Sequence, residues 1–420
     1  MNFRQFFKID ALLILFFIWT FVPLSLPAWE NNLEVVRYRT TVKNGIDNLE
    51  YNLSFFKDKR VGLITNQTGI TSSFVSSIDI LKEKTDLKVL FSPEYGVRDS
   101  VGAGKNAASY VDKQTALPVY CLCKNGLSTE PSADMFKDID VLVYDVQDMG
   151  VRYCNISTVL YAMKACKKYN KTFIVLDRPA PLSGSVIEGG MLQADYISFL
   201  GVCPVPIRFG LTIGELARYL NDKMNLKCDL MIVPMSGWVR NMYWSDTDLR
   251  WISPIMNISM PDAALAYAGI YLLEGTNLSV GRGTVHAFMQ IGAPWIKDPE
   301  KLAESLNKLG LSGVRFSYTY FSPMSDKYSE EFCGGVELQI TNKSTFRPVA
   351  AAVYMIFTIR ELYKDNFEFR KSKNGKYWID YLSGSSLLRK SAKPENVIKA
   401  WNEQSAAFEK ETEKYRIYKE

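Results

Sequence analysis

VLVYDVQDMGVRY, residues 141–153, reads as a buried strand running without a break into a polar loop marked by Gly150. Its apolar part is continuous rather than alternating, as in strands covered on both faces. A helix-like stretch follows over 157–168. The same unit recurs outward along the chain. VGLIT (61–65) ends in Asn66-Gln67-Thr68-Gly69, and a helical pattern follows over 74–84. LKVLFS (87–92) ends in Pro93-Glu94-Tyr95-Gly96-Val97-Arg98. TFIVLD (172–177) ends in Asp177-Arg178-Pro179-Ala180-Pro181, with a helical pattern over 212–222. Further strands are expected over 117–121 and 230–234. Strand–helix alternation of this kind predicts an α/β domain with a mostly parallel sheet, spanning about 45–235.

In open parallel sheets, ligands bind outside the carboxyl ends of the strands. Four polar loops are thus expected on one edge, carrying Asn66, Glu94, Arg98, Asp145, Asp148, Arg152, Asp177 and Arg178. Asn, Asp, Gly and Pro also make ordinary turns. It is the carboxylate or guanidinium on each of the last three loops that points to a site.

Beyond 236 the texture changes to a stretch rich in Trp, Pro, Asn and Gly. Helices are expected over 263–273, 299–309, 348–363 and 394–415, and strands over 314–320 and 335–341. This predicts a smaller α+β domain over 236–420. At the other end, Arg4 and Lys8 precede an apolar run over 11–26, followed by Pro27, Ala28 and polar residues. That pattern is a secretory signal peptide over 1–28. The run is short for a membrane span and prolines break it. Export is expected, with membrane attachment only if the segment stays uncleaved.

Composition removes several chemistries. The 420 residues are 47% hydrophobic and 23% charged, a globular profile rather than a disordered one. A net charge of +5 over this length gives no basis for a nucleic-acid partner. The single histidine, His286, excludes a His-rich metal site and any mechanism using two histidines. Seven cysteines occur with no C-x-x-C spacing. The run Val101-Gly102-Ala103-Gly104-Lys105-Asn106 lacks the first glycine and the final Ser/Thr of a phosphate loop. No G-x-G-x-x-G opens a helix after the first strand, and there is no G-x-S-x-G elbow. Carboxylates with arginine anchors are left, a set suited to glycoside hydrolysis.

Several segments resemble the family of exo-β-N-acetylmuramidases that act on peptidoglycan. They are GLITNQTG (62–69), LFSPEYGVR (90–98), YDVQDMGVRY (144–153), VLDRPAPLSG (175–184), EGTNLSVGRGT (274–284), IGAPW (291–295) and CGGVELQIT (333–341). The resemblance implies a Rossmann-like domain, a smaller second domain, and an active-site cleft between them. It implies removal of terminal non-reducing N-acetylmuramic acid from peptidoglycan fragments (muropeptides and MurNAc-terminated glycans), with no metal or nucleotide cofactor. Glu94 matches the family's best candidate for the catalytic acid. Asp145 and Asp148 are candidates for the second carboxylate, which could activate water or orient the 2-acetamido group. Arg98, Arg152, Arg178, Arg208 and Arg282 lie in matching segments and are candidates to bind the lactyl carboxylate. Glu274 and Asn277 are candidates for sugar hydroxyls. Trp238, Trp244, Trp251 and Trp295 could stack on sugars or simply pack.

The departures from the family pattern are specific. Tyr95 and Phe209 stand where the family has His, and Ala180 where it has Asn. His286 stands for Arg and Met289 for Glu. They raise an alternative: a non-catalytic muropeptide- or sugar-binding envelope protein with a diverged cleft.

Overall fold

The apolar runs of the first half become one seven-stranded sheet. A computed structural model describes residues 41–94, 96–98, 109–124, 127–152, 155–198, 200–255 and 257–420. The expected signal peptide over 1–28, Tyr95 and the glycine-rich run 101–106 lie outside these residues. The strands of the first half are β1 (Arg60–Thr65), β2 (Asp86–Ser92), β3 (Tyr110–Val111), β4 (Pro118–Cys121), a small hairpin of β5 (Cys123–Lys124) and β6 (Leu127–Ser128), β7 (Val141–Asp145), β8 (Thr172–Leu176) and β9 (Leu230–Val233). The sheet order is β3-β4-β2-β1-β7-β8-β9. All neighbours pair in parallel except β3, which runs antiparallel on the edge beside β4. Counted along the chain, the parallel strands lie in the order 3-2-1-4-5-6. That is the doubly wound Rossmann arrangement, whose direction reverses between β1 and β7.

Helices cover both faces because the strands are apolar on both. On one face Leu63, Val143 and Ile174 pack with Ile46 and Leu49 of a 3-10 helix (Gly45–Phe56) and with Ile78 and Leu81 of α1 (Ser77–Lys84). On the other, Ile64, Phe91 and Tyr144 pack with α3 (Asn155–Lys168) and α4 (Ile213–Lys223). Between α1 and α3 lies one turn, α2 (Ala133–Phe136). The pattern over 74–84 overstates α1. A tight turn from Thr71 to Val75 holds Phe74 at a φ of 66°, and the Ser76 hydroxyl then caps the helix by accepting from the Ile78 amide at 3.2 Å.

The second half adds α5 (Pro261–Ile270), β10 (Gln290–Ala293), α6 (Pro299–Lys308), β11 (Val314–Phe321), β12 (Cys333–Ile340), α7 (Pro348–Leu362), α8 (Trp378–Ser383), α9 (Leu387–Lys390) and α10 (Pro394–Thr412). Its antiparallel sheet has the order β10-β12-β11. Leu265, Leu302, Leu306, Val336, Leu338, Val353 and Ile356 build its core. β10 is only four residues long and overlaps the IGAPW motif, so no alternation announced it.

The carboxyl-terminal end then returns to the large sheet. Trp401 of α10 belongs to the second core, but Phe408 and Tyr415 pack edge-on against Tyr219 of α4, at 5.3 and 5.5 Å between ring centres. Farther on, the Tyr418 hydroxyl donates to Asp177 at 2.7 Å and accepts from the Met235 amide at 3.0 Å. The amide of Ile417 donates to Glu215 at 2.8 Å. Tyr418→Phe is expected to lower the unfolding free energy by about 1–3 kcal/mol, since it leaves a buried carboxylate one donor short. Urea denaturation measures this, and an unchanged midpoint would mean that the strap frays in solution.

Candidate active site

Parallel pairing brings the four polar loops to one edge of the sheet, as expected. Thr65 and Asp145 are register partners on the neighbouring strands β1 and β7. At Gly69 a Cβ would sit 2.0 Å from Thr65 Oγ1 and 2.7 Å from Ser77 Oγ, so the loop after β1 closes only with glycine there. Asn66 makes the turn: its Oδ1 accepts from the Thr68 amide at 2.9 Å and the Thr68 hydroxyl at 2.6 Å. That hydroxyl in turn accepts from the Gln147 amide at 2.9 Å, tying the β1 loop to the β7 loop.

Two consecutive residues at the end of β8 tie in the rest. Arg178 meets both oxygens of Asp145, Nε to Oδ1 at 2.5 Å and Nη2 to Oδ2 at 3.0 Å, and donates to the Ile70 carbonyl at 2.8 Å. Both side chains are buried. Asp177 accepts from the Thr212 hydroxyl at 2.7 Å, the Gly214 amide at 2.9 Å, the Arg178 amide at 3.0 Å and Tyr418. Burial raises its carboxyl to about 6 despite these donors.

The arginines expected at substrate divide by their bonds. Arg98 pairs with Asp79 at 2.9 Å and Asp112 at 3.1 Å. Arg152 is buried and donates to the carbonyls of Gly190, Val205 and Leu382, joining the β7 loop to α8. Arg208 is buried against Glu188 at 2.9 Å and the Leu182 carbonyl. Asn277 bonds the backbone of Asn366 and Glu368 at 2.7 and 3.0 Å. In this geometry these four side chains hold loops. Arg282 differs: it meets Glu274 at 2.5 Å and lies 4.8 Å over Phe288. With Asp326, Lys327 and Arg370 this pair lines a cavity of about 270 Å³. Burial lowers the Lys327 amine to about 8 while its Nζ donates to the Thr276 carbonyl at 2.7 Å. Three cations against two carboxylates suit an anionic ligand group.

Glu94 lies two residues beyond β2 and is half-buried. Its loop is held by the Ser92 hydroxyl, which accepts from the Gly96 amide at 2.8 Å. β2 and β7 flank β1, so their ends are about 10 Å apart at ordinary strand spacing. Asp148 is buried at the β7 end, and its Oδ1 accepts from the Gly150 amide at 2.6 Å. Burial raises its carboxyl to about 7, with the Gly150 and Met149 amides pulling the other way.

Gln147 was not anticipated. Its Nε2 donates to the Asp148 and Pro179 carbonyls at 2.9 Å each. Its buried Oε1 has no hydrogen-bond partner among the described residues, and the residue lines a water-sized space of about 20 Å³ with Arg178 and Trp244. Only the fold shows this, because a lone glutamine in a polar loop carries no motif.

The chain matches the N-terminal part of exo-beta-N-acetylmuramidase NamZ over residues 61–262 and the C-terminal part over 265–418. The chain belongs to that family. Peptidoglycan beta-N-acetylmuramidase NamZ of Bacillus subtilis (strain 168) is 41% identical over 386 residues, covering 90% of this chain and 91% of that protein. A solved DUF1343 family protein from Bacteroides fragilis NCTC 9343 is 37% identical with a TM-score of 0.84, covering 91% of this chain and all of that one. A second from the same organism is 25% identical with a TM-score of 0.70, covering 90% and 99%.

Several departures from the family pattern lie in packing. Phe209 is wholly buried among the helices of the sheet, and Ala180 packs with Met235 and Trp238. Met289 packs against the second core. His286 is half-exposed, with Nδ1 2.7 Å from Glu337. The tryptophans pack too: Trp244 and Trp251 meet edge-on at 5.2 Å, and the Trp295 indole donates to the Tyr328 hydroxyl at 3.3 Å.

Two measurements check this division of labour. Asp145→Asn, which leaves Arg178 buried without its counter-charge, is expected to cost about 3–5 kcal/mol in urea unfolding. Asp148 gives the opposite sign with pH. Its raised folded pKa favours the protonated form, so its contribution is present below pH 4 and is lost as pH rises towards 7. The melting temperature of Asp148→Asn should therefore gain on wild type between pH 5 and pH 8; parallel curves would contradict the assignment.

Proposed function

We propose that this chain is an exported glycoside hydrolase that removes terminal β-N-acetylmuramic acid from the non-reducing ends of peptidoglycan fragments in the periplasm or cell envelope. Membership of the exo-beta-N-acetylmuramidase family carries the reaction class. The N-terminal run over 11–26 behind Arg4 and Lys8 supports export. The domain division proposed with it is 45–235 around the parallel sheet and 236–420 around the antiparallel one, the last residues of the second returning to the first.

The observation that selects residues is the contrast between the carboxylates of the sheet edge. Asp145 and Asp177 have their oxygens committed to Arg178, Thr212, Gly214 and Tyr418. Asp148 is held by backbone amides alone among its named partners and titrates near neutrality, where a general base or acid works best. In this reading Glu94 protonates the leaving glycosidic oxygen as the C–O bond breaks. Asp148 takes a proton from water or orients the acetamido group. The cavity of Arg282, Lys327 and Arg370 has the charge for a lactyl carboxylate.

The test is release of N-acetylmuramic acid from a MurNAc–GlcNAc disaccharide. Glu94→Gln is expected to reduce turnover by about 10²-fold or more with the melting curve unchanged. Undiminished turnover would remove Glu94 from the role. Micromolar binding without turnover by wild type would replace the hydrolase with the sugar-binding reading.

A further inference from the structure

A cavity of about 340 Å³ lies between the 3-10 turn Ala194–Tyr196 and helices α8 and α9. Asp195 and Tyr196 come from the connection between β8 and α4, well past the Asp177-Arg178 strand end, and the other residues come from α8, α9 and the two residues before α8. Its walls are three tyrosines, Tyr196, Tyr377 and Tyr381, with the charged groups of Asp195, Asp380, Lys376 and Arg389.

The walls are already fixed. Buried Asp380 takes Arg389 through both oxygens, with Nε to Oδ1 at 3.0 Å and Nη2 to Oδ2 at 2.7 Å. The Arg389 guanidinium then lies 3.9 Å over the Tyr377 ring. Tyr196 and Tyr381 brace each other edge-on, 5.9 Å between centres. A ligand therefore meets rings whose side-chain freedom has been removed beforehand.

Charge narrows the ligand class. Two carboxylates face two cations, so the lining carries no net charge to attract an ion. A cationic ligand is disfavoured further, because Lys371 lies 5.0 Å over Tyr377, Lys376 lies 5.7 Å over Tyr381, and Arg389 occupies Tyr377 as well. What suits such walls is a neutral ligand with apolar faces and a polar rim. A pyranose is that shape: a C–H face can cover Tyr196, over which no cation lies among the described residues, and its hydroxyls or acetamido group reach Asp195, Lys376 and the phenol hydroxyls. The volume lies at the small end of the roughly 300–1,000 Å³ of small-molecule sites.

We propose that this cavity is a second carbohydrate-binding site, taking one neutral N-acetylhexosamine unit of a glycan strand apart from the site of hydrolysis. It goes beyond the proposed hydrolase reading, since binding here needs no turnover. Its use would be to hold a strand while its end is processed.

The probe is chitotetraose, which is neutral and lacks a lactyl group, titrated into the full chain and followed by calorimetry. Wild type should bind, and Tyr381→Ala and the surface change Asp195→Ala should each weaken binding by about tenfold. Turnover of a chromogenic N-acetylmuramide, too small to span both sites, should stay the same in both variants. Chitotetraose that fails to bind wild type, or binds both variants as well as wild type, overturns the proposal. A parallel loss of small-substrate turnover overturns it too, by making the cavity part of the hydrolytic site. Failure of the hydrolase reading is separate: wild type would then bind chitotetraose with no turnover at all.

Discussion

At the carboxyl end of β8 the chain places two opposite charges side by side, and both are buried. Asp177 gathers the amino end of α4 and the carboxyl-terminal strap through Thr212, Gly214 and Tyr418. Arg178 gathers the end of β7 through Asp145 and the β1 loop through the Ile70 carbonyl. Burying ions is expensive, and such a pair contributes little net stability over an apolar substitute. What it supplies is geometry, because each charge can be buried only with all its partners in place. Loops from β1, β7 and β8, the start of α4 and the last residues of the chain are thereby fixed to one another.

That constraint shapes the chemistry at the sheet edge. A carboxylate held bidentately by a guanidinium has both its oxygens engaged. Asp145 is therefore part of the frame. Asp148, three residues on, sits among backbone amides in an apolar setting, and burial alone raises its carboxyl to about 7. Two aspartates of one motif take different jobs because only one has a counter-charge. The same distinction separates the arginines: Arg152 and Arg208 neutralise carbonyl-lined interiors or a buried glutamate, whereas Arg282 stays at a cavity wall.

Much of the frame was legible in the residues. The parallel strands follow from short, continuous, β-branched apolar runs, and their carboxyl ends from the polar loops after them, as in strands covered on both faces. The helical pattern over 212–222 located α4, and the structure shows what starts it: Thr212 and Glu215 cap each other's amides at 3.0 and 3.2 Å. α1 was overstated because its apolar pattern continues through a turn that a left-handed Phe74 makes. The family departures were legible as changes but not as to place: Phe209 and Met289 could equally have faced a ligand.

The amino-acid sequence by itself determined the α/β class, the order of strands and helices, and the edge on which the polar loops gather, because hydrophobic period and turn chemistry are local. Which carboxylate meets a guanidinium was decided only by the tertiary structure. Asp145 meets Arg178 across 33 residues and Asp177 meets Tyr418 across 241, and neither distance leaves a periodic trace. The pKa of Asp148, the open acceptor of Gln147 and the tyrosine-walled cavity arise in the same way. They are properties of surroundings, set by which groups folding brings near and how much water it leaves between them.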